Sequence, residues 1–435
     1  MIISEKTNKL ILNFFVILIA SSMMFRKACT ILIIVFFIYS LIDFKKSQTI
    51  NKKYYIYIFI IALPFFINLV SFWNNSSLDL GIKSLEKYIS LIIFPVFLIK
   101  NYSKIDVSEI IIKYILFFIS IITILFIRYV ILFNSSYLKY QSGIDVWERG
   151  YSFVKSFGNH APAINMHLAF VTVCCFYFML RSLTHKNFLK TIYFLISLII
   201  SFYFLLYINT RLALLVTVSG MIIVLFNLIL KKQSILKASL VLTSFIVLFT
   251  FILIIYVKQN PYMIKKYSDV TFNNLDKVGR LDEVENAQAK LCNSLVTRLS
   301  IWKSTLELIQ VRPITGYGAS ESNEALFKYY KKTNQNFLYF NKFPVHNQFL
   351  DFTLKFGIFG FLVVLIYIGF IGYIGLKLDN PIIISFFIIF FASNLTDDFL
   401  IRFDGIVYSG FWITLFTIDF IKTKESAKIK ESFNC

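Results

Sequence analysis

The sequence predicts an all-α integral membrane protein with about twelve transmembrane helices and one large, mainly helical loop on the outer side of the membrane. The chain of 435 residues is 57% hydrophobic and contains 50 phenylalanines, more apolar side chains than one soluble core can bury. Apolar runs recur along nearly its whole length. Each run is long enough to cross a hydrocarbon layer of about 30 Å as a helix.

Each apolar run is expected to form a helix, because a backbone surrounded by lipid must satisfy its own hydrogen bonds. The predicted spans are 9–25, 28–44, 54–73, 82–99, 109–133, 161–180, 191–209, 212–230, 238–257, 350–376, 381–396 and 405–421.

Basic residues set the expected orientation. They collect in alternate short loops, for example at Lys45, Lys46 and Lys232, and such loops are cytoplasmic by the positive-inside rule. Both termini are therefore expected in the cytoplasm. The first run follows Lys6 and Lys9 as in a signal peptide, but no small-x-small cleavage site follows it, so we expect it to remain as an anchor.

A polar stretch interrupts the spans and divides the chain. The predicted parts are nine spans in 1–257, an outer loop domain in 258–346, three spans in 347–421 and a cytoplasmic tail in 422–435. The loop carries thirteen basic and eight acidic residues, a net charge of about +5. Such a surface beside the outer leaflet attracts an anionic head group or an anionic substrate. A solvated loop without a ligand is the alternative.

One helix is predicted inside this loop, in "NSLVTRLSIWKSTLELIQVRP". Its apolar packing stripe is expected at Leu295, Leu299, Trp302, Leu306 and Ile309. Arg298 lies four residues before Trp302, at the edge of that stripe. Pro313 ends the helix, and "PITGYG" is typical of a tight turn; as a phosphate-binding motif it is weak.

The stretch "PVHNQFLDFTLKFGIFG" begins the tenth predicted span. Asn347, Asp351 and Lys355 form one polar stripe there. His346 is expected in the first helical turn, where the positive end of the helix dipole disfavours the imidazolium form. A neutral imidazole is the form that accepts a proton. The alternative is a capping or interfacial histidine.

Two further outer positions carry candidate residues. Arg211 in "NTRLALL" lies near the end of a span, where an arginine either binds an anion or extends its side chain to the head groups. His160 in "FGNHAPAINMHL" is a candidate for an acceptor cleft or an interfacial residue.

No metal or cofactor site is expected. The five cysteines show no paired spacing outside the membrane, which predicts neither a disulfide nor a zinc framework. Asp397 and Asp398 are adjacent rather than alternate, and we interpret them as a solvated helix end.

Residues 205–375 resemble the O-antigen ligase and polymerase superfamily of bacterial inner-membrane glycosyltransferases. The resemblance is carried by Arg211 in "NTRLALL", by Arg298 and Trp302 in "TRLSIWKSTLELI", by "RPITGYG" and by "HNQFLDFTLKFGIFGF". It implies a GT-C-like, metal-independent transferase at the periplasmic face of the inner membrane, without cofactor.

The resemblance also implies the substrates and the residue roles. The donor is expected to be a glycan on undecaprenyl pyrophosphate, held by Arg211 and Arg298, and the ligase branch would use a sugar hydroxyl of lipid A-core as acceptor. His346 would act as general base, with His160, Asn347 and Trp302 as possible acceptor-site residues. Membrane lipid is an expected partner and nucleic acid is not.

Three alternatives remain open at this point. The polymerase branch would use a second lipid-linked glycan as acceptor, and a protein O-glycan ligase would use a protein hydroxyl. A polysaccharide transporter is the alternative from another class. It is less favoured because transporters tend to have internal repeats and charges near the midplane, whereas these charges lie near the outer ends of the spans.

Overall fold

The computed structural model describes residues 5–44, 51–132, 146–259, 274–287, 291 and 295–433. These residues form helices and turns, with no strand among them. Eight of the described helices are long and apolar enough to span a membrane, which confirms the predicted all-α membrane fold. With the labels used below they are α3 Tyr55–Val70, α6 Val107–Leu132, α8 Ala161–Thr184, α9 Phe188–Ile208, α10 Arg211–Leu228, α11 Ile235–Gln259, α16 Ile358–Leu378 and α18 Phe403–Phe433.

The remaining predicted spans are also helical, and two of the twelve predicted spans are broken. The first, second and eleventh runs form α1 Glu5–Ser22, α2 Arg26–Phe44 and the shorter α17 Pro381–Thr396. The run 82–99 was predicted as one span and is instead divided into α4 Leu78–Tyr88 and α5 Ser90–Lys100. The two helices differ in character. The first, α4, is amphipathic and carries charged residues as well as exposed leucines, whereas α5 is apolar between its end residues, Ser90 and Lys100.

The tenth predicted span is broken at Gly357, between α15 Gln348–Phe356 and α16. Gly357 has φ +63° and ψ −153°, a conformation that essentially only glycine adopts. A Cβ at this position would lie 2.0 Å from the carbonyl oxygen of Ile314, so the glycine also permits close contact with the loop domain. This break at Gly357, called the elbow below, turns α15 out of line with α16. The residues that precede α15 therefore lie at the loop-side end of the bundle.

The helices differ in how much protein surrounds them. Most of α8 and α18 is buried, so they form the centre of the bundle. By contrast, α11 lies at the periphery and exposes an apolar surface of the kind that faces lipid. The central helices therefore place the residues at their ends in the middle of the loop-side surface.

The loop domain has a core of its own. Its helices are α12 Leu295–Val311, α13 Ser322–Lys332 and α14 Asn336–Asn341. They pack around buried side chains that are separate from the core of the spans: Leu291, Val296, Ile301, Leu308, Leu326, Tyr330 and Leu338. A short helix, α7 Val146–Lys155, packs against α9 at the same end of the bundle.

The predicted packing stripe of α12 is only partly correct: Trp302 and Ile309 pack against the loop-domain core, but the centre of the buried face lies elsewhere. Leu306 is 49% exposed, whereas the buried face holds Val296, Ile301 and Leu308 together with small hydroxyl residues. The hydroxyls of Ser300 and Thr305 donate to carbonyl groups one turn earlier in the same helix, so they can be buried without losing hydrogen bonds. Apolar spacing alone therefore identified only part of the buried face.

The "PITGYG" turn joins the loop domain to the elbow. The amides of Tyr317 and Gly318 donate to the carbonyl groups of Leu354 and Lys355, at 2.8 and 2.9 Å, and the amide of Ile358 donates back to the carbonyl of Pro313 at 2.8 Å. Because two of its amides are bonded to protein, this turn is a structural clamp and offers few donors for a phosphate.

Candidate active site

Two arginines from distant parts of the chain line one cavity of about 140 Å³ at the loop-side end of the bundle. Arg211 is the first residue of α10, and Arg298 lies in the first turn of α12. Tyr151 from α7 and Asp397 after α17 also line this cavity, as do Pro162 and Met166 of α8, Thr210, Leu212, Ala213 and Val216 around the start of α10, and Ser393, Thr396 and Phe399.

The turn between α9 and α10 positions Arg211. Asn209 ends α9 in the left-handed conformation, with φ 57° and ψ 60°, so the chain reverses direction within two residues. The side-chain amide of Asn165, buried in α8, donates to the hydroxyl of Thr210 at 2.7 Å. This bond ties the turn to the central helix and keeps Arg211 at the cavity.

Arg298 shares the cavity with an acid, Asp397, and a phenol, Tyr151. Burial lowers the pKa of its guanidinium, and the charge of Asp397 and the nearby Tyr151 oppose that shift. For Tyr151, burial raises the pKa of the phenol despite the positive charges of Arg298 and Arg211. The phenol is therefore protonated and can donate a hydrogen bond, so the cavity presents two cations, a neutral donor and the carboxyl group of Asp397.

His346 lies before α15 and contacts Asp397. Its Nδ1 atom is 3.2 Å from Oδ1 of Asp397, and its side chain is 25% exposed. The prediction that His346 lies in the first helical turn is wrong by position: it precedes the N-cap residue Asn347 and has φ +51°. His346 lies outside the hydrogen-bonded turns of α15, so the helix does not fix its orientation. The contact with Asp397 does.

Asn347 has a capping role. Its side-chain oxygen accepts hydrogen bonds from the amides of Phe349 and Leu350, at 3.0 and 3.1 Å, and its side-chain nitrogen donates to the carbonyl of Leu395 at 3.1 Å. These bonds fix the start of α15 to the end of α17. His346 and Asp397 are neighbours for this reason.

The interpretation of Asp397 and Asp398 as a solvated helix end is wrong. They are 8% and 0% exposed. They can be buried because Nη2 of Arg402 lies 3.4 Å from Asp397 and 3.3 Å from Asp398, and the amide of Asp398 donates to Asp397 at 2.9 Å. The sequence signal was available: Arg402 follows Asp398 by four residues.

The two carboxyl groups differ in charge. Burial tends to raise the pKa of Asp397. Hydrogen bonds with His346 and Asp398 and the charge of Arg402 outweigh that effect, so the pKa of Asp397 lies well below the usual range. Burial, together with the hydrogen bond to Asp397 and its negative charge, raises the pKa of Asp398 to about 7. Asp397 is thus the ionised member, and it faces His346.

His160 joins this group through Arg402. Nη1 of Arg402 is 3.0 Å from Nδ1 of His160, which is the N-cap residue of α8. Burial, reinforced by the charge of Arg402, lowers the pKa of His160 to about 4, so its ring is neutral and accepts from the guanidinium. Trp302 does not line the cavity. It packs at the edge of the loop-domain core.

His346, Asp397 and Asp398 present the kind of donor set that binds a divalent cation. Their ligand atoms lie within 4.8 Å of one another. Arg402, however, already places a positive charge against both carboxylates. A metal ion at this position would have to displace that guanidinium or share its acids.

Comparison with known proteins gives one family match, over part of the chain. A family model described as O-antigen ligase matches residues 196–365, the segment that contains Arg211, Arg298 and His346. No curated protein matches the chain. The family match supports the resemblance predicted from the sequence: residues 196–365 of this membrane protein are similar to the O-antigen ligase family.

Proposed function

We propose that this protein is an O-antigen ligase-type glycosyltransferase that moves a glycan from undecaprenyl pyrophosphate to a sugar hydroxyl of lipid A-core at the periplasmic face of the inner membrane. The observation that carries this proposal is one shared residue. Asp397 lines the cavity that contains Arg211 and Arg298, and its carboxylate contacts His346. Asp397 therefore connects the two arginines that would bind the glycan donor with the candidate base, His346.

The cavity suits a pyrophosphate leaving group. As the bond between the anomeric carbon and the pyrophosphate oxygen breaks, negative charge builds on that oxygen. The planar guanidinium groups of Arg211 and Arg298 can bind phosphate oxygens in pairs and stabilise this charge. A pyrophosphate donor is already activated, so the reaction needs no nucleotide.

His346 is suited to receive the acceptor proton. When Nδ1 donates to the ionised Asp397, Nε2 carries the free lone pair. The acceptor hydroxyl transfers its proton to Nε2 as its oxygen forms the new bond to the anomeric carbon. Attack from the face opposite the leaving group inverts that centre. Asp397 orients the imidazole and also lines the cavity, and Arg402 acts as a positioning residue through its contact with Asp397.

The direct test uses purified protein in lipid nanodiscs with an undecaprenyl-pyrophosphate-linked glycan. Lipid A-core, a second lipid-linked glycan and a protein substrate are offered separately as acceptors. We expect transfer to lipid A-core with release of undecaprenyl pyrophosphate, no transfer by His346→Ala, and no change on adding a metal chelator. Elongation of the lipid-linked glycan instead would assign the polymerase function, and transfer to protein would assign the protein O-glycan ligase.

A transporter makes the opposite prediction. Glycan movement across a sealed vesicle that persists in His346→Ala, with no glycosyl transfer to any of the three acceptors, would overturn the enzyme proposal.

A further inference from the structure

A second cavity, of about 180 Å³, lies at the end of the bundle opposite the candidate active site. Helix α8 lines both: Met166 faces the first cavity and Phe178 the second. Twelve residues of helix separate them by about 18 Å. In α17 the order is reversed, with Ile383 at the second cavity and Ser393 at the first. The second cavity is therefore a separate site on the same central helices.

Its walls divide into an apolar interior and a polar rim. The interior consists of the buried side chains of Ile111, Phe178, Ile383 and Phe416. The rim holds Ser108, Tyr177, Arg181, Asn380 and Asp419. Exposed apolar side chains at the same end of the bundle, Leu183 and Leu376, are of the kind that contact lipid. A ligand for this cavity must combine a polar group with an apolar one.

The rim carries two opposite charges that the protein does not pair with each other. Arg181 makes a long contact of 3.4 Å with the hydroxyl of Tyr177 and forms no ion pair among the described residues. The carboxylate of Asp419 likewise has no hydrogen bond or ion pair in the described part of the chain. The nearby Lys422 is directed to the carbonyl of Ile105, at 2.6 Å.

We propose that this cavity binds the phosphoethanolamine head group of a membrane phospholipid. The guanidinium of Arg181 matches the phosphate, and the carboxylate of Asp419 matches the ammonium group. The first carbons of the acyl chains lie against the apolar interior. A zwitterionic head group fits better than an anionic one because Asp419 repels a lipid that carries only negative charge. In the proposed orientation this lipid belongs to the cytoplasmic leaflet.

Native mass spectrometry of the full chain in detergent tests this site. Phosphatidylethanolamine and phosphatidylglycerol with identical acyl chains are titrated separately. The wild type is expected to retain one phosphatidylethanolamine in preference to phosphatidylglycerol. Asp419→Asn should remove most of that preference, about tenfold, whereas Arg181→Gln should weaken both lipids. Asp419→Glu should keep the preference, and Lys190→Gln, an exposed cation that does not line the cavity, should match the wild type.

Equal retention of the two lipids by the wild type would overturn the proposal, as would an unchanged preference in Asp419→Asn. A melting temperature measured for each variant shows whether it is folded. The readout is lipid retention rather than glycosyl transfer, so this result is independent of the function proposed above.

Discussion

At the scale of single residues, the candidate site depends on a chain of contacts from His160 through Arg402 and Asp397 to His346. Hydrogen bonds with His346 and Asp398, together with the charge of Arg402, keep the buried Asp397 carboxylate ionised, and that carboxylate contacts the imidazole. Removing one member leaves its partner buried with an unpaired charge or an unpaired donor, which is more harmful than the loss of a single surface contact.

Asp397→Asn should lower the turnover number about 10²-fold or more, because an amide can bond His346 but cannot stabilise the imidazolium that forms in the reaction. The measurement is the rate of transfer to lipid A-core at saturating donor. Asp397→Glu should recover part of the rate. Asp79→Asn is the matched control, since Asp79 is exposed and pairs only with Lys83. Native turnover in Asp397→Asn would remove Asp397 from the mechanism.

Arg298→Lys should lower transfer about 10²- to 10³-fold, because an ammonium group keeps the charge but loses the planar pair of donors. Arg280→Lys, in the same loop domain but exposed and paired with Glu283, is the control and should transfer normally. Both rates are measured with the same donor and acceptor. If the two variants had equal rates, Arg298 would have no special role at the pyrophosphate.

At the scale of elements, the elbow at Gly357 decides where His346 lies. The elbow separates α15 from α16, the "PITGYG" turn clamps it to the loop domain, and Asn347 attaches the start of α15 to α17. A short capped helix between two fixed points has little freedom to rotate. The loop domain and the spans consequently hold the site between them.

Gly357→Ala should destabilise the protein, since its backbone conformation is strained by about 1–3 kcal/mol for other residues and the new methyl group would collide with Ile314. The thermal midpoint in detergent should fall and transfer should be lost with it. Gly369→Ala is the control: a Cβ there meets no atom within 4 Å, and alanine favours the helix. A thermal midpoint of Gly357→Ala equal to that of Gly369→Ala would contradict this account of the elbow.

At the scale of the whole molecule, the two ends of the bundle differ in structure. One end holds the loop domain and the candidate site, and the other holds the second cavity and exposed lysines at the ends of the spans, such as Lys190 and Lys377. From the positive-inside rule we propose that the second end faces the cytoplasm.

Cysteine labelling can test this orientation, in a chain in which Cys292 and Cys435 are replaced by serine. Lys332→Cys in α13 should react with a membrane-impermeant maleimide added outside intact spheroplasts. Lys377→Cys, at the opposite end of α16, should react only after lysis. Both lysines are exposed, so access depends on the side of the membrane. Labelling of Lys377→Cys from outside would reverse the topology.

The sequence by itself determined the helical membrane fold and predicted a large loop between spans and the candidate residues Arg211, Arg298, His346 and His160, because apolar run length, loop charge and short motifs are properties of neighbouring residues. Only the tertiary structure placed Asp397 and Arg402 beside His346 and His160. The bond from His346 to Asp397 joins residues 51 apart, and the bond from Arg402 to His160 joins residues 242 apart. An adjacent pair of acids is as compatible with solvent as with a buried site, and the choice depends on whether packing brings a guanidinium to neutralise them. The break at Gly357 and the buried face of α12 have the same origin, since contacts between distant elements override the local apolar pattern.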